Sequence, residues 1–181
     1  ASYRSALAIK SDSAEVHTNL GNALAQLGHP GEAKKSYQDA LAINPDYAEA
    51  HNNFGNLLKA SGKTDDAFAS YQKALAIKPD YAEARYNLGT MLHGLGRLNE
   101  AVEHIRKSID IRPDYAEAHN NLGIALHELG QLDEAADKIR KALELKPGHV
   151  KAHNNLGIVL QELGQLDEAE KSFLHALELN P

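Results

Sequence analysis

Pro45, Pro79, Pro113, Pro147 and Pro181 each stand 34 residues beyond the last. A fixed period of that length means one small supersecondary unit stacked many times, because so short a unit cannot bury its apolar face alone. The residues between the prolines keep the same register. Gly21, Gly55, Gly89, Gly123 and Gly157 form one series, and Gly28, Gly62, Gly96, Gly130 and Gly164 a second. Ala33, Ala67, Ala101, Ala135 and Ala169 form a third. The 181 residues therefore make a quasi-linear array, without a single central core.

One unit, residues 116–147, reads as two helices. Leu122, Leu126 and Leu129 fall three and four apart and mark one apolar face of the first helix. Gly130 supplies a stop, since glycine enters the left-handed region without steric cost. Asp133 is the expected cap of the second helix. Its buried face is expected to carry Ala135, Ile139, Ala142, Leu143 and Leu145, and Pro147 ends it. Asp114 with Glu117 reads as a capping box, repeated by Asp12 with Glu15, Asp46 with Glu49, and Asp80 with Glu83. Gly148 and Lys151 break that pattern before the last unit. Gly123 sits inside a helix, at a cost of about 1 kcal/mol against alanine, and is expected to let the paired helix approach a small residue such as Ala135.

The Leu-Gly pairs (Leu20-Gly21, Phe54-Gly55, Leu88-Gly89, Leu122-Gly123, Leu156-Gly157), the two alanine positions and the closing proline resemble the tetratricopeptide repeat. The second alanine position holds Ala40, Ala74, Ala142 and Ala176, with Ser108 as a conservative departure. The resemblance implies an all-α, right-handed superhelical solenoid of antiparallel helix pairs. It gives repeats at 14–47, 48–81, 82–115, 116–149 and 150–181, preceded by the second helix of a truncated repeat at 1–13 with Tyr3, Ala6, Leu7 and Ile9 in its core. His17, His51, Arg85, His119 and His153 stand where the family often has an aromatic residue, which implies an altered groove edge.

Net charge is −6 with histidine neutral, so no polyanion is drawn in at long range and nucleic acid is not an expected partner. Cysteine is absent, which removes disulfides, thiol catalysis and thiolate-held metal. No apolar run reaches a membrane span, and no membrane insertion is expected. The expected location is cytoplasmic. No phosphate loop, nucleophile elbow or separate carboxylate pair stands out from the repeat, so the chain reads as non-catalytic and without cofactor. Histidines such as His149 with His153, and His119 with His127, have no third ligand placed beside them and read as solvated or interhelix groups.

Asn19, Asn53, Asn87, Asn121 and Asn155 precede the Leu-Gly pairs. Asparagine is a mediocre helix former, so five copies inside helices ask for a reason. The resemblance implies that first helices line a concave face, and the row resembles the asparagine ladder of O-linked N-acetylglucosamine transferases, whose amides hold an extended peptide backbone. An amide offers both donor and acceptor, which suits a main chain of any sequence. The alternative is that these amides bond neighbouring repeats and stiffen the stack. Asn22, Asn56, Asn52, Asn120 and Asn154 extend the candidate peptide site, and Tyr86 either stacks on a ligand or packs between helices. Asn22 and Asn53 also match the asparagines of the family's carboxylate clamp, but Thr18, Glu83 and Asn87 replace its cations. Tyr47, Tyr81 and Tyr115 read as wedges between repeats, and Arg106-Lys107 and Arg140-Lys141 as solvated outer faces.

The expected function is that of a non-catalytic module that receives an extended peptide or a helix of a protein partner in a concave groove, as the substrate-selecting arm of a larger protein. The alternative is a scaffold that self-assembles through its outer face or head to tail through its ends, Tyr3 and Leu7 against Phe173 and Leu177. RNA binding is disfavoured by the acidity. The near-identity of the last two repeats in HNNLGI and ELGQLDEA marks either recent duplication or consensus-style engineering.

Overall fold

The computed structural model describes residues 13–180, and every regular element among them is an α-helix. In order these are α1 (Ala14–Gln26), α2 (Pro30–Ile43), α3 (Ala48–Ala60), α4 (Thr64–Ile77) and α5 (Ala82–Gly94). Then follow α6 (Leu98–Ile111), α7 (Ala116–Glu128), α8 (Leu132–Leu145), α9 (Val150–Glu162) and α10 (Leu166–Leu179). Tyr3, Ala6, Leu7, Ile9, Asp12 and Pro181 lie outside the described residues. Contacts divide the chain into two compact units, one running to Leu88 and one from Gly89. In the first, α1 packs on α2, α3 on α4, and α3 also on α2 and α1. In the second, α7 packs on α8 and α9 on α10, while α6 meets α7 and α8 meets α9.

The turns follow from the periodic glycines and prolines. Gly130 has φ +74°, and its turn closes with the Gln131 amide donating to Leu126 O at 2.9 Å. Only glycine takes that conformation freely, so α7 stops there and the chain folds back into α8. Each residue before Pro45, Pro79, Pro113 and Pro147 is extended, with φ between −130° and −142°, as a following proline requires.

The expected capping differs. The residue before α3 is Tyr47 and that before α7 is Tyr115, and neither helix has a side-chain cap. Asp46 instead lies 3.7 Å from Lys73, and Glu49 Oε2 accepts from the Tyr47 hydroxyl at 3.1 Å. Glu117 accepts from Lys146 at 2.9 Å, which holds its carboxyl below the usual range. Ser13 does cap α1, accepting from Val16 N at 3.4 Å. Asp133 lies inside α8, whose preceding residue is Gln131. Acids in the first turn still oppose the positive end of the helix dipole.

The core is built from the register positions. Ala50, Ala84, Ala118 and Ala152 are fully buried on first helices, as are Ala33, Ala67, Ala101 and Ala135 on second helices. Ile139 and Ala142 are buried as expected, but Leu143 and Leu145 are half-exposed and Ala136 is buried in their place. The helix-interior glycines do serve close approach: at Gly123 the expected neighbour Ala135 presents its carbonyl oxygen 3.0 Å from where a Cβ would stand, and large side chains crowd these glycines still more closely. A Cβ at Gly55 would lie 2.8 Å from the Tyr71 ring, and one at Gly157 would lie 2.5 Å from Phe173. At Gly123 it would collide with Ile139, 16 positions on. The large side chain of the second helix fills the space that glycine vacates.

His51, His119 and His153 are engaged with the backbone. Each Nε2 meets the carbonyl of the proline six residues earlier at 2.9 Å, and Arg85 Nε reaches Pro79 O at 3.0 Å. All are side chains able to donate a nitrogen hydrogen, and they latch the turn that starts each first helix.

Candidate functional site

The asparagine row is half-exposed. Asn19, Asn53, Asn87, Asn121 and Asn155 all lie between buried and exposed. Beneath four of them runs a relay of amides. In the first unit Asn87 Nδ2 donates to Asn52 Oδ1 at 2.9 Å, and Asn52 Nδ2 donates to Asn53 Oδ1 at 3.1 Å. In the second, Asn155 Nδ2 donates to Asn120 Oδ1 at 3.0 Å, and Asn120 Nδ2 to Asn121 Oδ1 at 3.1 Å.

Asn52 and Asn120 are only 3% and 4% exposed, so neither offers its amide to a ligand. Both lie beneath the half-exposed row, although Asn120 also borders a recess of the second unit. Asn52 also hydrogen-bonds the Tyr81 side chain, which ties the turn before α5 back to α3. Burying an amide is tolerable here because both its donor and acceptor sides are used.

The relay leaves the upper amides with defined capacity. Asn53 spends its oxygen on Asn52 and keeps its amino group, whereas Asn155 spends an N–H and keeps its oxygen. Asn53 and Asn155 are thus each partly committed within the fold. Asn22 and Asn56 are also half-committed, each accepting at 2.7 Å from the hydroxyl of Tyr37 or Tyr71. In the first unit Asn22, Asn53 and Asn56 meet around a recess of about 320 Å³ with Leu57. Tyr86 is half-buried on α5 and is not part of the lining of this recess.

The second unit has a larger recess of about 820 Å³, where Asn120, Asn121, Asn154 and Asn155 come together. Its apolar wall is Ile124, Val150, Phe173 and Leu177, with Lys151 and Asn180 also lining it. Apart from Phe173 and Leu177, expected in head-to-tail stacking, these lining residues were not among the expected contacts. One of them carried a signal as a departure from the period, Lys151 in place of glutamate. The outer basic pairs are engaged, Arg106 with Glu134 at 2.8 Å and Arg140 with Glu168 at 3.1 Å. His127 meets Glu162 at 2.9 Å, and no group of three metal-ligating residues occurs among the described residues. No described helix is long and apolar enough to cross a membrane.

Family models described as tetratricopeptide repeat match residues 14–47 and 150–181, 36–69 and 80–148, and one described as TPR repeat matches 55–96. No curated protein matches the chain. Among solved structures, a MamA chain is 28% identical with a TM-score of 0.78, over 88% of this chain and 93% of that one. PilF of Pseudomonas aeruginosa gives 21% identity and a TM-score of 0.87, over 93% of this chain and 77% of that one. YrrB, described as "a TPR protein with an unusual peptide-binding site", gives 24% and 0.77, over 100% and 93%.

Proposed function

The chain belongs to the tetratricopeptide repeat family, and from that premise we propose that it is a non-catalytic module that binds an extended polypeptide along its first helices. The observation that carries this reading is the half-exposed amide row held from below by Asn52 and Asn120. Amides fixed before a partner arrives lose little freedom on binding, so their hydrogen bonds are not offset by ordering. Asn53 offers donors and Asn155 an acceptor, the two kinds of group that a main chain needs. The likeness of the row to the asparagine ladder of O-linked N-acetylglucosamine transferases supports a role as the substrate-selecting arm of a larger protein, with the cytoplasm as its proposed setting. The concave groove belongs to this proposal.

The test is binding of labelled peptides in extended conformation to the chain and to a variant with Asn53, Asn121 and Asn155 changed to alanine. Three lost hydrogen bonds at about 1 kcal/mol each imply a loss of roughly 100-fold in affinity. Helicity is expected to be unchanged, and N-methylation of the peptide backbone to reproduce the loss on the wild-type chain. Equal affinity of the two proteins would make the row structural.

A second reading, self-association, is favoured by Leu166, Leu174 and Leu177, which are 63%, 51% and 62% exposed on α10. Exposed leucines so close together are a feature of interfaces. Light scattering is expected to show mass rising with concentration. A constant monomer mass removes this reading.

A further inference from the structure

Asn52 and Asn120 occupy one register position, two repeats apart, and are 3% and 4% exposed. Packing alone does not ask for an amide there. Thr18 holds the same position in α1, is as deeply buried, and donates its hydroxyl hydrogen to Ala14 O at 2.8 Å, within its own helix. Asn52 reaches beyond its helix instead. Its Oδ1 accepts from Asn87 of α5 at 2.9 Å, its Nδ2 donates to Asn53 at 3.1 Å, and the Tyr81 side chain bonds it as well. Asn120 joins α9 to α7 in the same sense, accepting from Asn155 and donating to Asn121. A buried amide left half-paired is costly, so the members of each relay share one direction. Asn52 turns end for end only if Asn53 and Asn87 turn with it, since oxygen would otherwise face oxygen and nitrogen face nitrogen. Turned together, the three amides satisfy one another again. The relay is thus an element with two discrete arrangements, and its direction fixes which end of Asn53 is held inward and which is presented.

We propose that Asn52 and Asn120 are positioning residues that couple the two first helices each one joins, so that a main chain held at one half-exposed asparagine sets what the other presents. The proposal rests on the peptide-binding reading above and adds its regulation, contacts in one repeat preparing the next. A ligand carbonyl on the Asn53 amino group favours the direction in which Asn53 keeps its oxygen inside. A ligand N–H on the Asn53 oxygen favours the reverse, and Asn87 follows in either case. Coupling of this kind needs no movement of the helices, because both ends bias one two-state relay.

The test is a mutant cycle in the first unit, read by NMR at the side-chain amide of Asn53. Asn87→Asp removes the N–H that starts the relay, so only the reversed direction satisfies Asn52. The Asn53 amino group is then expected to shift and to exchange its hydrogens more slowly. In an Asn52→Thr background, which puts the residue of α1 at this position, the same change is expected to leave Asn53 unmoved. Asn52→Thr is also expected to weaken binding of a fluorescent peptide of alternating serine and threonine about fivefold, the worth of one net hydrogen bond. Asn155→Asp with Asn120→Thr, read at Asn121, repeats the cycle in the second unit should the first variant unfold. An Asn53 signal that ignores Asn87→Asp, or responds equally in the threonine background, overturns the coupling and leaves peptide binding to its own test. Coupling with unchanged peptide affinity in Asn52→Thr overturns the positioning role while binding stands. A peptide bound by no form of the chain overturns the peptide-binding reading, and this proposal with it.

Discussion

Valine in place of Gly123 is expected to destabilise the second unit by about 3 kcal/mol, near the upper end of what overpacking a core costs. A Cβ there would run into the Ile139 side chain and lie 3.0 Å from the carbonyl oxygen of Ala135. Ile139 is fully buried, so its side chain has no space into which to turn. The backbone oxygen moves only if α8 moves. The gain in helix propensity on leaving glycine, at most about 1 kcal/mol and less for a β-branched residue, does not cover this. Removing the obstacle tests the cause: adding Ile139→Ala to Gly123→Val is expected to lose less than the sum of the two single changes. Gly148, with nothing within 4 Å of a built Cβ, serves as the control, and Gly148→Ala is expected to be near neutral. Urea unfolding followed by helicity reads all four proteins. Stability of Gly123→Val equal to that of the Gly148 control would refute the packing account.

Tyr71 gives the second large effect. Its side chain is fully buried in the first unit, against Gly55, and its hydroxyl donates to Asn56 Oδ1 at 2.7 Å. Tyr71→Ala is expected to cost about 3–5 kcal/mol, the range for emptying a buried aromatic site. Tyr71→Phe keeps the ring and is expected to cost about 1 kcal/mol, since Asn56 is exposed and regains water. A small loss on Tyr71→Ala, measured by urea unfolding, would show that the ring does not hold α3 to α4. The phenols also set an alkaline limit. Burial pushes the Tyr37 phenol up from its ordinary 10.0 to about 12, and raises that of Tyr71 as well. Such groups stabilise the fold fully below the unfolded value and lose that contribution as pH rises through the folded one. Stability is therefore expected to fall between pH 10 and about 12, with phenolate absorbance from Tyr37 appearing as the helices melt.

The spacing of glycines and prolines determined the helices, their turns and the family. This was possible because a left-handed turn residue and a proline stop act through the backbone of a few residues, and repetition made the pattern legible. The row of asparagines was legible for the same reason. Its internal economy was not. Whether an amide faces solvent or a neighbour depends on the helix one repeat away, so Asn52 and Asn53, adjacent in sequence, ended on opposite sides of the surface. Capping likewise belonged to the structure, where Asp46 and Glu117 found lysines and α3 and α7 went without side-chain caps. Sequence alone determined what stacks. Tertiary packing decided which atoms of the stacked residues were spent inside and which were left over for a partner, because burial and hydrogen bonding are settled between helices far apart in the chain.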